Sequence, residues 1–148
     1  MDAEALRDHL AAELGEEQFE PEISHDLLTV TVAPDQWRRT AELVRRDPEV
    51  ACNFFDFLCG VDEEDAGLGV VLHVYSTNHR HHVQLRTVVP RDGGHLPTLH
   101  DLWAGANWHE RETAELFGVS FDGHPLRKEF ALLAREAKVW PGAKEPGE

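Results

Sequence analysis

Between residues 53 and 89 the chain carries three apolar runs separated by two turn sequences, and this segment constrains the fold more than any other. In the last run Val83, Leu85, Thr87 and Val89 alternate with His82, Gln84, Arg86 and Val88, the period of a strand whose two faces differ. The middle run, residues 70–76, follows an acidic turn, Asp62-Glu63-Glu64-Asp65, with Gly67 and Gly69 behind it. Thr77-Asn78 turns the chain again, and Pro90 with Gly93-Gly94 closes the series. The first run, residues 53–58, is almost wholly apolar, which predicts a strand buried on both faces. Connections this short make the three runs a meander.

Helical patterns flank the meander. Leu6, Leu10 and Leu14 recur every fourth residue and predict a helix over 3–14, ended by Gly15. Leu28, Val30 and Val32 alternate with Leu27, Thr29 and Thr31 as a strand. Pro34-Asp35 reads as a turn with Asp35 as N-cap of a helix over 37–46, and Asp47-Pro48 stops it because proline disfavours helical geometry in the residue before it. Beyond the meander two helix starts are visible. One is the capping-box-like Thr98-Leu99-His100-Asp101 behind Pro97. The other is Asn107, with Glu110 three residues on, leading to Phe117 and a stop at Gly118. This order predicts an α+β fold, with helices packed on one face of a small mixed or antiparallel sheet. Residues 1–138 form one domain. Residues 139–148 form an extended C-terminal arm, since residues 140–148 hold two prolines and two glycines.

Charge excludes one class of function. With 28 acidic and 14 basic residues the net charge is -14, and no basic run offers phosphate a counterion-releasing face. Nucleic acid is therefore not an expected partner. Cys52 and Cys59 cannot supply the four thiolates of an iron–sulfur cluster, and in apolar sequence they read as core residues. The acidic start, Met1-Asp2-Ala3-Glu4, is unlike a signal peptide, and no apolar stretch is long enough to span a bilayer. The expectation is a soluble, reduced, cytoplasmic protein.

The helix over 107–117 carries the most informative residues. Helical spacing puts Trp108, Arg111, Glu112 and Glu115 on one face, with Arg111 and Glu115 at i,i+4, and Thr113, Leu116 and Phe117 on a core-facing one. From the residues alone, the first face is either a solvated charged surface, where an ion pair contributes roughly 0.3–0.5 kcal/mol, or a charge network that sets register against a neighbouring subunit.

The run from Trp108 to Pro125, WHERETAELFGVSFDGHP, resembles the signature of the 30 kDa-type subunit family of respiratory complex I, the NADH–quinone oxidoreductase. That signature is E-R-E-x-x-[D/E], an apolar residue, F-G, another apolar residue, then x-F. Other landmarks agree in order: Gly60-Val61-Asp62-Glu63, the stretch from Val71 to Tyr75, Arg86 to Pro90, and Ala104 to Trp108. The ending, with Pro125-Leu126-Arg127-Lys128 and the 140–148 arm, looks like actinobacterial members. In one departure, Gly123-His124-Pro125 runs straight into Leu126-Arg127-Lys128, where family members have a leucine-rich loop between the two elements. The resemblance covers roughly residues 25–148. It implies a peripheral subunit on the cytoplasmic side of the cell membrane, attached only through its complex and acting in assembly and docking. It implies no catalytic residue, cofactor or metal in this chain; FMN, iron–sulfur clusters and quinone belong to partner subunits. The implied partners are the quinone-site subunit and the iron–sulfur subunits of the peripheral arm. Glu110, Arg111, Glu112, Glu115, Phe117 and Gly118 are the signature residues carried over, and Arg127, Lys128 and Trp140 are the wrapping contacts.

Two other readings stand beside this one. Membrane-bound hydrogenases and related quinone-linked oxidoreductases use a homologous subunit. In a different class, His79, His81 and His82 with His73 would make a stand-alone metal-binding hairpin, with His79 and His81 on one face and His73 as third ligand. His109-Glu110 lacks the second histidine of a zinc protease, and no nucleophile elbow, dinucleotide or phosphate loop is present.

Overall fold

A computed structural model describes residues 1–125; the expected arm over 139–148 and the 138/139 boundary lie outside the described residues. Helix α1 spans Ala3–Leu14, with Asp2 as N-cap accepting a 2.8 Å bond from the Ala5 amide. Its buried stripe is the predicted Leu6, Leu10 and Leu14, and Gly15 ends it at φ 86, where glycine carries no Cβ penalty. Helix α2 spans Trp37–Arg46 and buries Trp37, Thr40, Ala41 and Val44. Asp35 does not cap it: a 3-10 turn over Pro34–Gln36 leads in, and the Gln36 side chain at the cap position caps no backbone amide of the helix.

Strands β1 (Glu20–Ser24) and β2 (Leu27–Thr31) form a hairpin, followed by β3 (Phe54–Asp62), β4 (Leu68–Ser76) and β5 (His81–Val89). The sheet order is β1-β2-β5-β4-β3. Within this five-stranded sheet only the β2–β5 pair is parallel, because the chain passes through α2 and two strands before returning beside β2. The sheet is thus mixed. Register puts Leu28 opposite Val83, Val30 opposite Leu85, and Leu85 opposite Leu72, so one face carries a continuous apolar stripe. The helices pack on that face, and their buried residues join the strands in one core. The opposite face carries Phe57, Val71, His73, Tyr75, Gln84 and Arg86, none of them fully buried.

Three further sequence expectations are corrected. Strand β3 is not buried on both faces: it is an edge strand, with Phe54 53% exposed and Leu58 its one buried residue. A bulge leaves Asp56 out of the pairing between Phe55 and Phe57. No helix begins at Thr98; residues 98–105 form turns in which the Leu102 and Trp103 amides both return to the Leu99 carbonyl at 3.0 Å. Asn107 lies inside helix α3 (Ala106–Phe117) rather than capping it, and the cap position is Gly105. Two short strands, β6 (His95–Pro97) and β7 (Ser120–Asp122), pair in parallel and bracket α3.

Candidate functional site

Helix α3 lies against β3 and is fastened from both sides. Phe55 packs edge-on against the His109 ring at 4.9 Å, and His109 Nδ1 stands 3.2 Å from the Leu58 amide and 3.1 Å from its carbonyl. Those are outward-facing groups of an edge strand, so the imidazole occupies hydrogen-bonding positions a further strand would use. Phe117 covers Gly60, where a Cβ would come within 2.5 Å of its ring. Gly118 ends the helix in the left-handed region, φ 79, with its amide bonded to the Ala114 carbonyl.

The buried stripe of α3 differs from the predicted one. It consists of Ala106, Glu110 and Thr113, with Phe117 partly buried, while Leu116 is 50% exposed and faces away from the core. Glu110 is fully buried. One carboxylate oxygen accepts from the Thr98 hydroxyl and the other from the Leu99 amide at 2.8 Å. Burial pushes its pKa up, opposed by those two hydrogen bonds. The turn it grips is held elsewhere too. Arg38 donates to both Asp101 oxygens, at 2.6 and 2.7 Å, and to the Thr98 carbonyl at 3.0 Å. The Arg38 guanidinium holds the Asp101 carboxyl down at about 2. Trp103 Nε1 donates to the Cys52 carbonyl.

The outer face of α3 is different in kind. Trp108 is 62% exposed, with the Arg111 guanidinium carbon 5.6 Å from its ring centroid, a cation–π contact. Glu112 is exposed one turn on, Glu115 is half-buried, and Leu116 continues the ridge. Of the signature residues, the helix therefore groups Arg111, Glu112 and Glu115 with Trp108 outside, sends Glu110 inward, and sets Phe117 against β3. Arg127, Lys128 and Trp140 lie outside the described residues. Sequence reasoning missed Thr98, Leu99 and His109 as the partners that fix this helix, because each contact joins positions 11 to 51 residues apart and no local pattern encodes it.

The histidine hairpin does not assemble as a trio. His81 is buried, its Nε2 donating to the Val50 carbonyl at 2.7 Å, and burial lowers its pKa. His79 stacks on it, rings 5.6 Å apart, and donates to the Pro48 carbonyl. His73 is on the other face of the sheet, its Nε2 2.9 Å from Nδ1 of His82. Strand alternation separates the two pairs. Cys52 is a core residue whose thiol is pushed up to about 12 by burial. Cys59 is only half-buried and is raised by burial first and then by Glu112. Among the described residues no helix is long and apolar enough to cross a membrane.

Known proteins share both sequence and fold with this chain. An NADH-quinone oxidoreductase subunit of Roseiflexus castenholzii is 39% identical over 140 residues, covering 83% of this chain and 78% of that protein. The same subunit type from Mycolicibacterium smegmatis is 35% identical over 133 residues, covering 82% of this chain and 55% of that protein. A trypsin-resistant fragment of Nqo5 matches with a TM-score of 0.72 at 24% identity, over 86% of this chain and all of the fragment. A chain of the membrane-bound sulfane sulfur reductase, an archaeal respiratory membrane complex, matches at 0.70 and 23%, over 82% of this chain and 71% of its own length. At those identities the two structures share the fold. A family model for the respiratory-chain NADH dehydrogenase 30 Kd subunit matches residues 30–145, the meander and α3 included, and the chain belongs to that family.

Proposed function

We propose that this chain is a non-catalytic subunit of a proton-pumping NADH–quinone oxidoreductase, where it docks the quinone-site subunit during assembly of the peripheral arm. It binds no cofactor of its own. It sits on the cytoplasmic side of the membrane through its complex, beside the iron–sulfur subunits. The observation that carries this reading is the division of α3: its inner face is locked by Glu110, His109 and Phe117, while its outer face presents Trp108, Glu112 and Leu116 to solvent, with the half-buried Arg111 stacked on Trp108. An exposed tryptophan with an arginine packed against it, carried on a rigid element, is what interface hot spots are made of. Membership of the 30 Kd family supports the complex in which the interface is used.

A related respiratory complex is the second reading, favoured by the fold shared with the sulfane sulfur reductase chain. The experiment is a tagged pull-down from solubilised membranes of the source organism, with mass spectrometry of the co-purifying proteins. Recovery of a quinone-site subunit and iron–sulfur subunits together with NADH-oxidising activity is expected. Hydrogenase or sulfur-reducing partners would replace the first reading with the second, and recovery of the chain alone would overturn both.

A further inference from the structure

On α1, away from α3, His9 lies between two carboxylates that follow α2. Its Nε2 is 3.0 Å from Asp47 Oδ2, and its Nδ1 is 2.8 Å from Glu49 Oε2. Asp47 is held in place by its own turn: Oδ1 accepts the Glu49 amide at 2.8 Å and, at a longer 3.4 Å, that of Val50. Oδ2 is left aimed at the imidazole. The His9 and Asp47 side chains are 19% and 11% exposed and Glu49 is 61% exposed, so the cluster is walled on one side and open to water on the other.

We propose that His9, Asp47 and Glu49 form a site for a divalent transition metal of the zinc type, which staples α1 to the connection between α2 and β3. One ligand atom from each residue lies within 4.8 Å of the others. Donors around a tetrahedral zinc stand roughly 3.3–3.6 Å apart, given bonds of about 2.0–2.2 Å, so the set closes with the metal at Nε2 beside Asp47 Oδ2 once the exposed Glu49 side chain swings across from Nδ1 to reach it. One imidazole with two carboxylates is a donor set that zinc accepts, and water through the Glu49 side supplies the fourth position. Charge points the same way. Even a protonated His9 leaves two carboxylates with Glu13 close enough to add its field, in a chain of net charge -14, and a dication offsets that excess. The competing account is an imidazolium clasp with no metal. The proposal is independent of the assembly reading.

Zinc titration of the purified full-length chain by calorimetry separates the two. A His73→Asn/His82→Asn background removes the exposed imidazole pair on the open sheet face, a second place where zinc could settle. One zinc per chain is expected in that background, weakened at least tenfold by Glu49→Gln and reduced to nonspecific uptake by His9→Asn. Cobalt should give a visible d–d absorption band that His9→Asn abolishes. Because Glu49 is largely exposed, Glu49→Gln keeps the test readable even if His9→Asn loosens α1. Absence of zinc binding, or equal affinity in the background and in Glu49→Gln, would leave only the ion-paired clasp and overturn the site.

Discussion

A single side chain, Glu110, decides how the signature helix is held. It occupies a core position as a carboxylate because two donors, the Thr98 hydroxyl and the Leu99 amide, meet its oxygens. Truncation by Glu110→Ala leaves both donors buried without a partner, at about 1–3 kcal/mol for each unsatisfied group. Glu110→Gln keeps the shape and one acceptor, so it should cost less. The two proteins should also differ in pH dependence. Burial makes folded Glu110 hold its proton more tightly than the unfolded chain does. Its contribution is therefore complete below the ordinary glutamate range and is lost as pH rises through the raised value. Urea midpoints measured from pH 4 upward should fall in the wild type relative to Glu110→Gln across that interval; parallel profiles would show that Glu110 is not perturbed in the fold. The family resemblance placed Glu110 in the signature, but nothing local could show that it points inward, since its partners lie 11 and 12 residues back in a separate turn.

Among the elements, α1 and α2 begin and end where the sequence predicts, because both their apolar spacing and their stop signals are local. The missed strands have no such signal. Strand β1 reads Glu-Pro-Glu-Ile-Ser, without alternation, and is created by a two-residue turn in which His25 and Asp26 both take positive φ, 52 and 60. Strands β6 and β7 are three residues each and exist only because they pair across α3. The contact between α3 and β3 rests on a glycine that its neighbours in sequence do not explain. A Cβ at Gly60 would meet Phe117 ring atoms at 2.5 and 2.8 Å, so Gly60→Ala should displace the helix end and destabilise the fold by about 1–3 kcal/mol. In the Gly60→Ala/Phe117→Leu double variant the smaller side chain makes room, and the combined loss should be less than the sum of the single losses in chemical denaturation. Strict additivity would place the strain elsewhere.

Over the whole molecule, the fold separates a self-contained core from surfaces that carry exposed side chains, Trp108, Glu112 and Leu116 among them. The outer face of α3 is one, and the assembly reading predicts what its charges do. Reversing Glu112 with Glu112→Lys, or Arg111 with Arg111→Glu, should lower incorporation into the membrane complex several-fold while circular dichroism and melting of the purified chain change little. Wild-type incorporation of both variants would remove this face from the interface. The α+β class, the two flanking helices and the meander were legible in the sequence, because each depends on periodicity or turn chemistry within a few residues; the family signature was legible as a resemblance carried by one contiguous run. The sequence misread β3, whose apolar run looked fully buried. The same run becomes an edge strand once β4 supplies its one strand neighbour and α3 lies along it. Which histidines meet was also beyond it, since strand alternation divides His73 and His82 from His79 and His81. So were the inward turn of Glu110 and the meeting of His9 with Asp47 and Glu49. Those outcomes depend on which distant segments are brought together, and local spacing carries no record of that.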